Sequence, residues 1–292
     1  MENHAADRPL PPEMTVLSRF QAEPLLDARR QGLPAVTASL DLGYSTRRVE
    51  LTAAGIAWGP GQTLGWEPLA AIAASENGCF RVREGEIEEL KGYCEETRHP
   101  YRLLPTAEAP VLLLAGFTMH RFKDVAPTWA AREMVRALGP LRGRVLDTAT
   151  GLGYTAIAAA GQGVEVETIE LDPGSVEMAR ANPWSQELFS SPRIHRLTGD
   201  CAEWIATCPA GRFTGIVHDP PSMSLAGDLY GGAFYRELAR VLEPRGRLFH
   251  YIGDPVSGLG GRVTEGVVRR LKEAGFRQVR AQPRAFGVLA MK

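Results

Sequence analysis

A chain of 292 residues has room for one large domain or two modest ones, and 44% hydrophobic with 23% charged residues is an ordinary globular composition. With 33 Lys and Arg against 34 Asp and Glu the formal charge is −1, so no global basicity advertises a nucleic acid, although a local patch stays open. No apolar run approaches the roughly 20 residues that span a bilayer, and the four cysteines form no C-x-x-C pair, so neither a membrane nor a metal site is expected.

Residues 1–12 are polar and Pro-rich, lack the apolar core of a signal peptide, and are expected to be disordered in a cytoplasmic protein. Residues 14–31 carry an amphipathic helical pattern, with Pro24 expected to break it. Strand-like alternation follows over 36–42 and 47–52, joined by Gly43-Tyr44-Ser45, then helical spacing over 66–75. Short strands are expected at 79–82, 101–104 and 111–114. Residues 1–34 thus read as a tail and helix, and 35–118 as a small α+β domain that selects the substrate.

After a connector containing His120 and Arg121, residues 127–138 read as a helix stopped by Gly139-Pro140. Strands at 144–147, 164–170, 194–197, 213–218 and 247–252 then alternate with helices at 154–160, 173–181, 202–206, 234–242 and 263–274. Strands near 276–281 and 285–291, separated by Gln282-Pro283-Arg284, suggest an antiparallel hairpin at one edge. The expected fold for 119–292 is α/β: a doubly wound, mostly parallel, seven-stranded Rossmann-like sheet.

The chemistry concentrates where strands end. Val145-Leu146-Asp147-Thr148-Ala149-Thr150-Gly151-Leu152-Gly153 is a strand, an acid and a Gly-x-Gly turn, and Glu170 ends the next strand. Such a turn lets backbone approach a nucleoside ligand, and the acid suits ribose hydroxyls. The same glycines fit a dinucleotide fingerprint, but Asp147 would repel a pyrophosphate. Asp200 after the third strand and Asp219-Pro220-Pro221 after the fourth put two more acids on the rim where ligands of open α/β sheets bind. Each has a plainer alternative: Asp200 as a helix N-cap, Asp219-Pro220-Pro221 as a rigid loop, Tyr235 and His218 as packing residues.

These residues resemble the class I S-adenosylmethionine-dependent methyltransferases. Asp147, Gly151 and Gly153 match that family's first motif, with Ala149 where its first glycine stands, Glu170 its ribose acid, and Asp200 its adenine-side acid. Asp219-Pro220-Pro221 looks like the signature of enzymes that methylate amino nitrogens. The chain is similar in particular to a group of methyltransferases with an added N-terminal domain, through residues 145–157, Asn182-Pro183-Trp184-Ser185, 218–221 and 246–251. Leu229-Tyr230 and Phe234-Tyr235-Arg236-Glu237-Leu238 resemble the region after the catalytic acid in spermidine-synthase-type aminopropyltransferases, which share the fold and use the decarboxylated cofactor.

The resemblance implies an S-adenosyl-L-methionine-dependent methyltransferase acting on an amino nitrogen, with RNA or a small molecule as acceptor and a homodimer left open. Asp147, Thr148, Gly151, Gly153, Glu170, Leu171, Asp200 and Cys201 are expected to bind the cofactor, and Asp219, Pro220 and Pro221 to carry the transfer. Ser222, Tyr230, His250, Tyr251, His120 and Arg121 are expected near the acceptor, with Trp184 as another ring that would stack on it. The alternatives are aminopropyl transfer, favoured by an acidic groove using Asp228 and Glu237, and a binding module without chemistry.

Overall fold

The computed structural model describes residues 14–253 and 258–292, so the expectation for 1–12 lies outside them. The chain forms two compact units, one holding the residues up to Pro127 with Gly174–Gln186, the other Thr128–Pro173 with Glu187–Lys292. A linear border at 118–119 does not capture this, because the segment after Pro173 packs with the first unit. Tyr101 lies against Gly174 where a Cβ would stand, and its hydroxyl donates to Glu177 at 2.5 Å. Trp184 donates its indole N–H to the Leu42 carbonyl at 3.0 Å, with Tyr44 edge-on to its ring.

The first unit is rich in short antiparallel strands. Ala35–Ala38, Arg47–Leu51, Gly55–Gly59 and Gln62–Gly65 form one sheet, Thr15–Leu17, Phe80–Arg83 and Glu86–Glu89 a second, and Phe117–Thr118, Val111–Leu114, His99–Leu104 and Lys91–Cys94 a third. Helices Arg19–Arg30 and Trp66–Ala74 bury Leu25, Leu69 and Ile72 with Leu17, Val49, Ile56 and Leu64. Pro24 does not break the first helix. Ser18 and Gln21 form a reciprocal capping box at its start, and Pro24 sits on the exposed face of the helix, away from the buried Ala22 and Leu25.

The second unit is built on seven strands: β1 (Arg144–Asp147), β2 (Glu165–Glu170), β3 (Ile194–Thr198), β4 (Phe213–His218), β5 (Leu242–Tyr251), β6 (Arg277–Gln282) and β7 (Gly287–Met291). Their order is β3-β2-β1-β4-β5-β7-β6. The first five are parallel, while β7 runs antiparallel to both neighbours, so the sheet is mixed and the terminal hairpin lies at its edge. Val145, Leu146, Ile216, Val217, Leu248 and Phe249 are fully buried, as strands covered on both faces require. Leu146, Phe213, Ile216, Leu238, Val241, Leu248, Val267, Leu271 and Val288 belong to one core cluster. Strand order reverses between β1 and β4, and ligands of such sheets bind beyond the carboxyl ends at that crevice. Asp147 and His218 end those two strands. Among the described residues no helix is long and apolar enough to cross a membrane.

Candidate functional site

Asp147 ends β1 with Thr168 of β2 on one side and Val217 of β4 on the other. Its carboxyl is buried, accepting from Thr155 at 3.1 Å and from Thr168 at 2.8 Å. Thr168 has only one hydroxyl proton, so Thr150, 2.6 Å away, donates to Thr168. Burial pushes the Asp147 carboxyl up to about 7; the two hydroxyl donors oppose this and the charge of Glu170 adds to it.

The turn that follows is tied to β2. Gly151 and Gly153 have φ values of +52° and +79°, and a Cβ on Gly153 would lie 2.7 Å from Leu188, so only glycine fits there without strain. Glu170 accepts the Gly151 N–H at 2.8 Å and the Asp172 N–H at 2.9 Å. Burial holds its carboxyl above the usual range. A carboxylate offers about four lone-pair sites, so this clamp leaves capacity for a diol.

Asp219 is half-buried after β4. Burial first, and the charge of Asp147 second, raise its carboxyl to about 8. Pro220 is buried and Pro221 partly so. The Tyr230 hydroxyl returns to this loop, donating to the Pro221 carbonyl at 3.0 Å with the Pro220 carbonyl at 3.4 Å, and Arg270 Nε donates to the Tyr230 carbonyl at 3.1 Å.

Beneath the loop lies a neutral polar lattice. His218 Nε2 is 3.0 Å from the Leu229 carbonyl, which can only accept. His218 Nδ1 therefore takes the Thr148 hydroxyl proton at 2.7 Å. His250 pairs with His218 across β4 and β5; its Nδ1–H donates to the His218 carbonyl at 3.2 Å, and its Nε2 accepts from Tyr235 at 2.8 Å. Both imidazoles are fully buried. Burial pushes His218 down to about 3 and His250 well below the usual histidine range.

The lattice takes up two of the expected residues. Thr148 spends its hydroxyl on His218 and its N–H on the Val217 carbonyl, so it is not aimed at a cofactor. His250 is sealed with both ring nitrogens engaged and presents nothing to an acceptor. Cys201 is buried in the core cluster, its thiol raised by burial. Asp200 does cap the following helix, accepting from Ala202 N–H at 2.6 Å. Trp184 and His120 are engaged within the first unit, His120 accepting from Leu112 N–H at 3.4 Å; burial lowers its imidazole to about 4. Arg121 also lies in the first unit. Leu171 is exposed, Tyr251 half-buried at the end of β5, and Ser222 pairs with Ser224 at 2.8 Å. Glu237 pairs with Arg240 at 2.6 Å, and Arg240 also donates to the Cys208 and Ile205 carbonyls.

The rim around β1, β2 and β4 is thus a set of acceptors, with the charge of Asp147 raising the Asp219 carboxyl and no room for a side chain at Gly153. That chemistry fits an adenosyl sulfonium, which brings a diol, an amine and a fixed positive charge.

Over 235 residues the chain is 39% identical to the uncharacterized protein MJ1233 of Methanocaldococcus jannaschii, with 80% of each covered. The chain belongs to that family. A stretch of 99 residues is 32% identical to a polyamine aminopropyltransferase of Mycobacterium tuberculosis, covering 32% of this chain and 19% of that protein. Spermidine synthase in complex with the transition-state analogue AdoDATO has a similar structure, with a TM-score of 0.57 and 17% identity over 71% of this chain and 76% of that one. Spermidine synthase from Thermotoga maritima gives 0.54 and 17% over 71% and 74%. At that identity the likeness shows the fold alone, a Rossmann-like α/β sheet. No family model matches the chain.

Proposed function

We propose that this chain is an S-adenosyl-L-methionine-dependent methyltransferase of the cytoplasm acting on an amino nitrogen, with an RNA base amine of cytidine type as the first acceptor to test and a small-molecule amine as the second. The observation that carries the reading is Asp219: a half-buried acid raised to about 8, beside Asp147, followed by two prolines and roofed by the Tyr230 phenol. When bound, the cofactor supplies an electrophilic methyl on a sulfonium. Glu170 accepts from the ribose diol, the Gly151–Gly153 turn lets backbone approach, Asp147 faces the positive end, and Asp200 serves the adenine side. Asp219 and the Pro220 carbonyl each accept one N–H of the acceptor amine. This aims the nitrogen lone pair along the transfer line, so catalysis is mostly positioning. The amine proton passes to Asp219 after transfer, a role suited to an acid that titrates near neutral pH.

The second reading, aminopropyl transfer from decarboxylated S-adenosylmethionine, is favoured by the stretch shared with polyamine aminopropyltransferases and by the spermidine synthase fold likeness. Against it, the Glu237 carboxylate is neutralised by Arg240, so it adds no charge to an acidic groove for a polycation.

Calorimetry with S-adenosylhomocysteine tests the site. Glu170→Ala should weaken binding about ten- to a hundredfold, since hydrogen bonds to a charged group are worth about 1.5–3 kcal/mol. Asp219→Asn should bind within a few-fold of the native protein but lose about 10²–10⁴ in transfer rate. Unchanged affinity in Glu170→Ala removes the adenosyl assignment. Incubation with an RNA pool or an amine extract, read by mass, separates a gained methyl from a gained aminopropyl group.

A further inference from the structure

Nothing in the transfer chemistry proposed above uses His218, yet this fully buried residue sits at a crossing point. One ring nitrogen holds Thr148, the residue directly after Asp147 in the turn. The other holds the carbonyl of Leu229, the residue directly before Tyr230. Tyr230 then closes back on Pro221, so residues 219–230 form a ring of chain fastened at both ends, one end covalently through His218 itself and the other through its imidazole. His250 and Tyr235 fix the His218 backbone from behind. The His218 ring also packs on Phe234, with centroids 5.3 Å apart, and on His250 at 4.3 Å.

We propose that His218 is a positioning residue that couples the adenosyl turn to the acceptor loop, so that occupying residues 147–153 orders residues 222–231. The proposal rests on the adenosyl reading of the rim. Its physical basis is that each ring nitrogen has a single protein partner and a single role. Nε2 must donate to Leu229 and Nδ1 must accept from Thr148, so a shift of Thr148 cannot be absorbed by a spare donor or acceptor on the ring. A tilt of the imidazole loosens the Leu229 carbonyl, and with it the placement of the Tyr230 phenol over the Pro220 and Pro221 carbonyls. A buried network of this kind has discrete arrangements rather than a continuum.

Amide hydrogen exchange on the full chain, free and saturated with S-adenosylhomocysteine, tests this without knowledge of the acceptor. In the native protein the ligand should slow exchange at least tenfold both in 148–153 and in 222–231. In Thr148→Val, a near-isosteric change, and in His218→Phe, which keeps a ring against Phe234, the ligand should still protect 148–153 but change 222–231 by less than twofold. His218→Gln, whose amide can still donate to Leu229, should restore part of the loop response. A residue needed only for packing would alter exchange in the free protein without altering the response to ligand. Thr148→Val covers the case in which His218→Phe fails to fold. Full protection of 222–231 in both Thr148→Val and His218→Phe overturns the coupling, as does a native protein whose turn responds while its loop does not. Protection of neither segment in the native protein overturns the adenosyl reading and the coupling with it.

Discussion

The site should hold a cationic adenosyl ligand more tightly as pH rises. In the free protein Asp147 titrates near 7 and Asp219 near 8, against an ordinary value of 3.8. At pH 6 both are mostly protonated and at pH 9 both are ionised. A sulfonium favours the ionised forms, so binding at pH 6 must expel protons that are already gone at pH 9. Each unit of pH below the pKa of an expelled proton weakens binding about tenfold; two units for Asp219 and one for Asp147 set a ceiling of about a thousandfold. Asp219 owes part of its shift to the charge of Asp147 and is partly wet, so about ten- to a hundredfold is expected. Calorimetry with S-adenosylmethionine in two buffers of different ionisation enthalpy should show between one and two protons released at pH 6.5 and almost none at pH 9. S-Adenosylhomocysteine, which keeps only the ammonium, should have a shallower slope, and methylthioadenosine, with neither charge, should be flat. The free protein should move the other way. The native state holds protons that the unfolded chain has lost, so stability falls as pH rises through 7 and 8. The window above pH 7 avoids the buried histidines, which are neutral in both states there. An affinity for S-adenosylmethionine that is flat or falling between pH 6 and 9 refutes the claim that Asp147 and Asp219 face the cation.

Gly153→Ala forces a side chain into φ +79° and against Leu188; a loss of about 1–3 kcal/mol is expected in denaturant titration, and unchanged stability would show that the turn relaxes freely. Tyr235→Phe leaves the buried Nε2 of His250 without its donor; calorimetric unfolding should show a loss of about 1–3 kcal/mol, with adenosyl affinity within twofold of native because Tyr235 touches neither the glycine turn nor Glu170.

The second unit was legible because its signals are local. β1, β4 and β7 are short runs with apolar, buried centres and Gly or Pro stands at many junctions, so β1 and β4 match their expected limits and the edge hairpin is legible; β6 is polar and exposed and is held by its pairing with β7, and β5 starts five residues before its expected limit. The first unit was less so. Glu86–Glu89 and Lys91–Cys94 are charged and half-exposed, while Gly55–Gly59 and Gln62–Gly65 carry glycines at their ends; these strands exist through the neighbours they pair with rather than through their own pattern. Pro24 misled for the same reason, since burial of Ala22 and Leu25 outweighs one missing bond. On the rim, Asp147 and Glu170 stand at the strand ends where the sequence pattern puts them. Thr148 was misplaced because adjacency to Asp147 says nothing about which way a side chain turns, and the link through His218 depends on the β4–β5 register and on a loop returning from eleven residues away.

The rim serves either sulfonium, because S-adenosylmethionine and its decarboxylated form present the same adenosyl group and the same sulfonium to Glu170, Asp147 and Asp219 and differ only in the carboxylate beyond. The two reactions part at the acceptor. A polyamine arrives as a flexible polycation and needs several carboxylates along its path to repay the desolvation of its ammonium groups. An amine conjugated to a ring arrives neutral and needs two acceptors at one nitrogen. In the proposed methyl transfer, Asp219 and the Pro220 carbonyl are those two, while Glu237 is paired with Arg240. The Tyr230 hydroxyl, already resting on the proline carbonyls, marks where a competing N–H would have to enter.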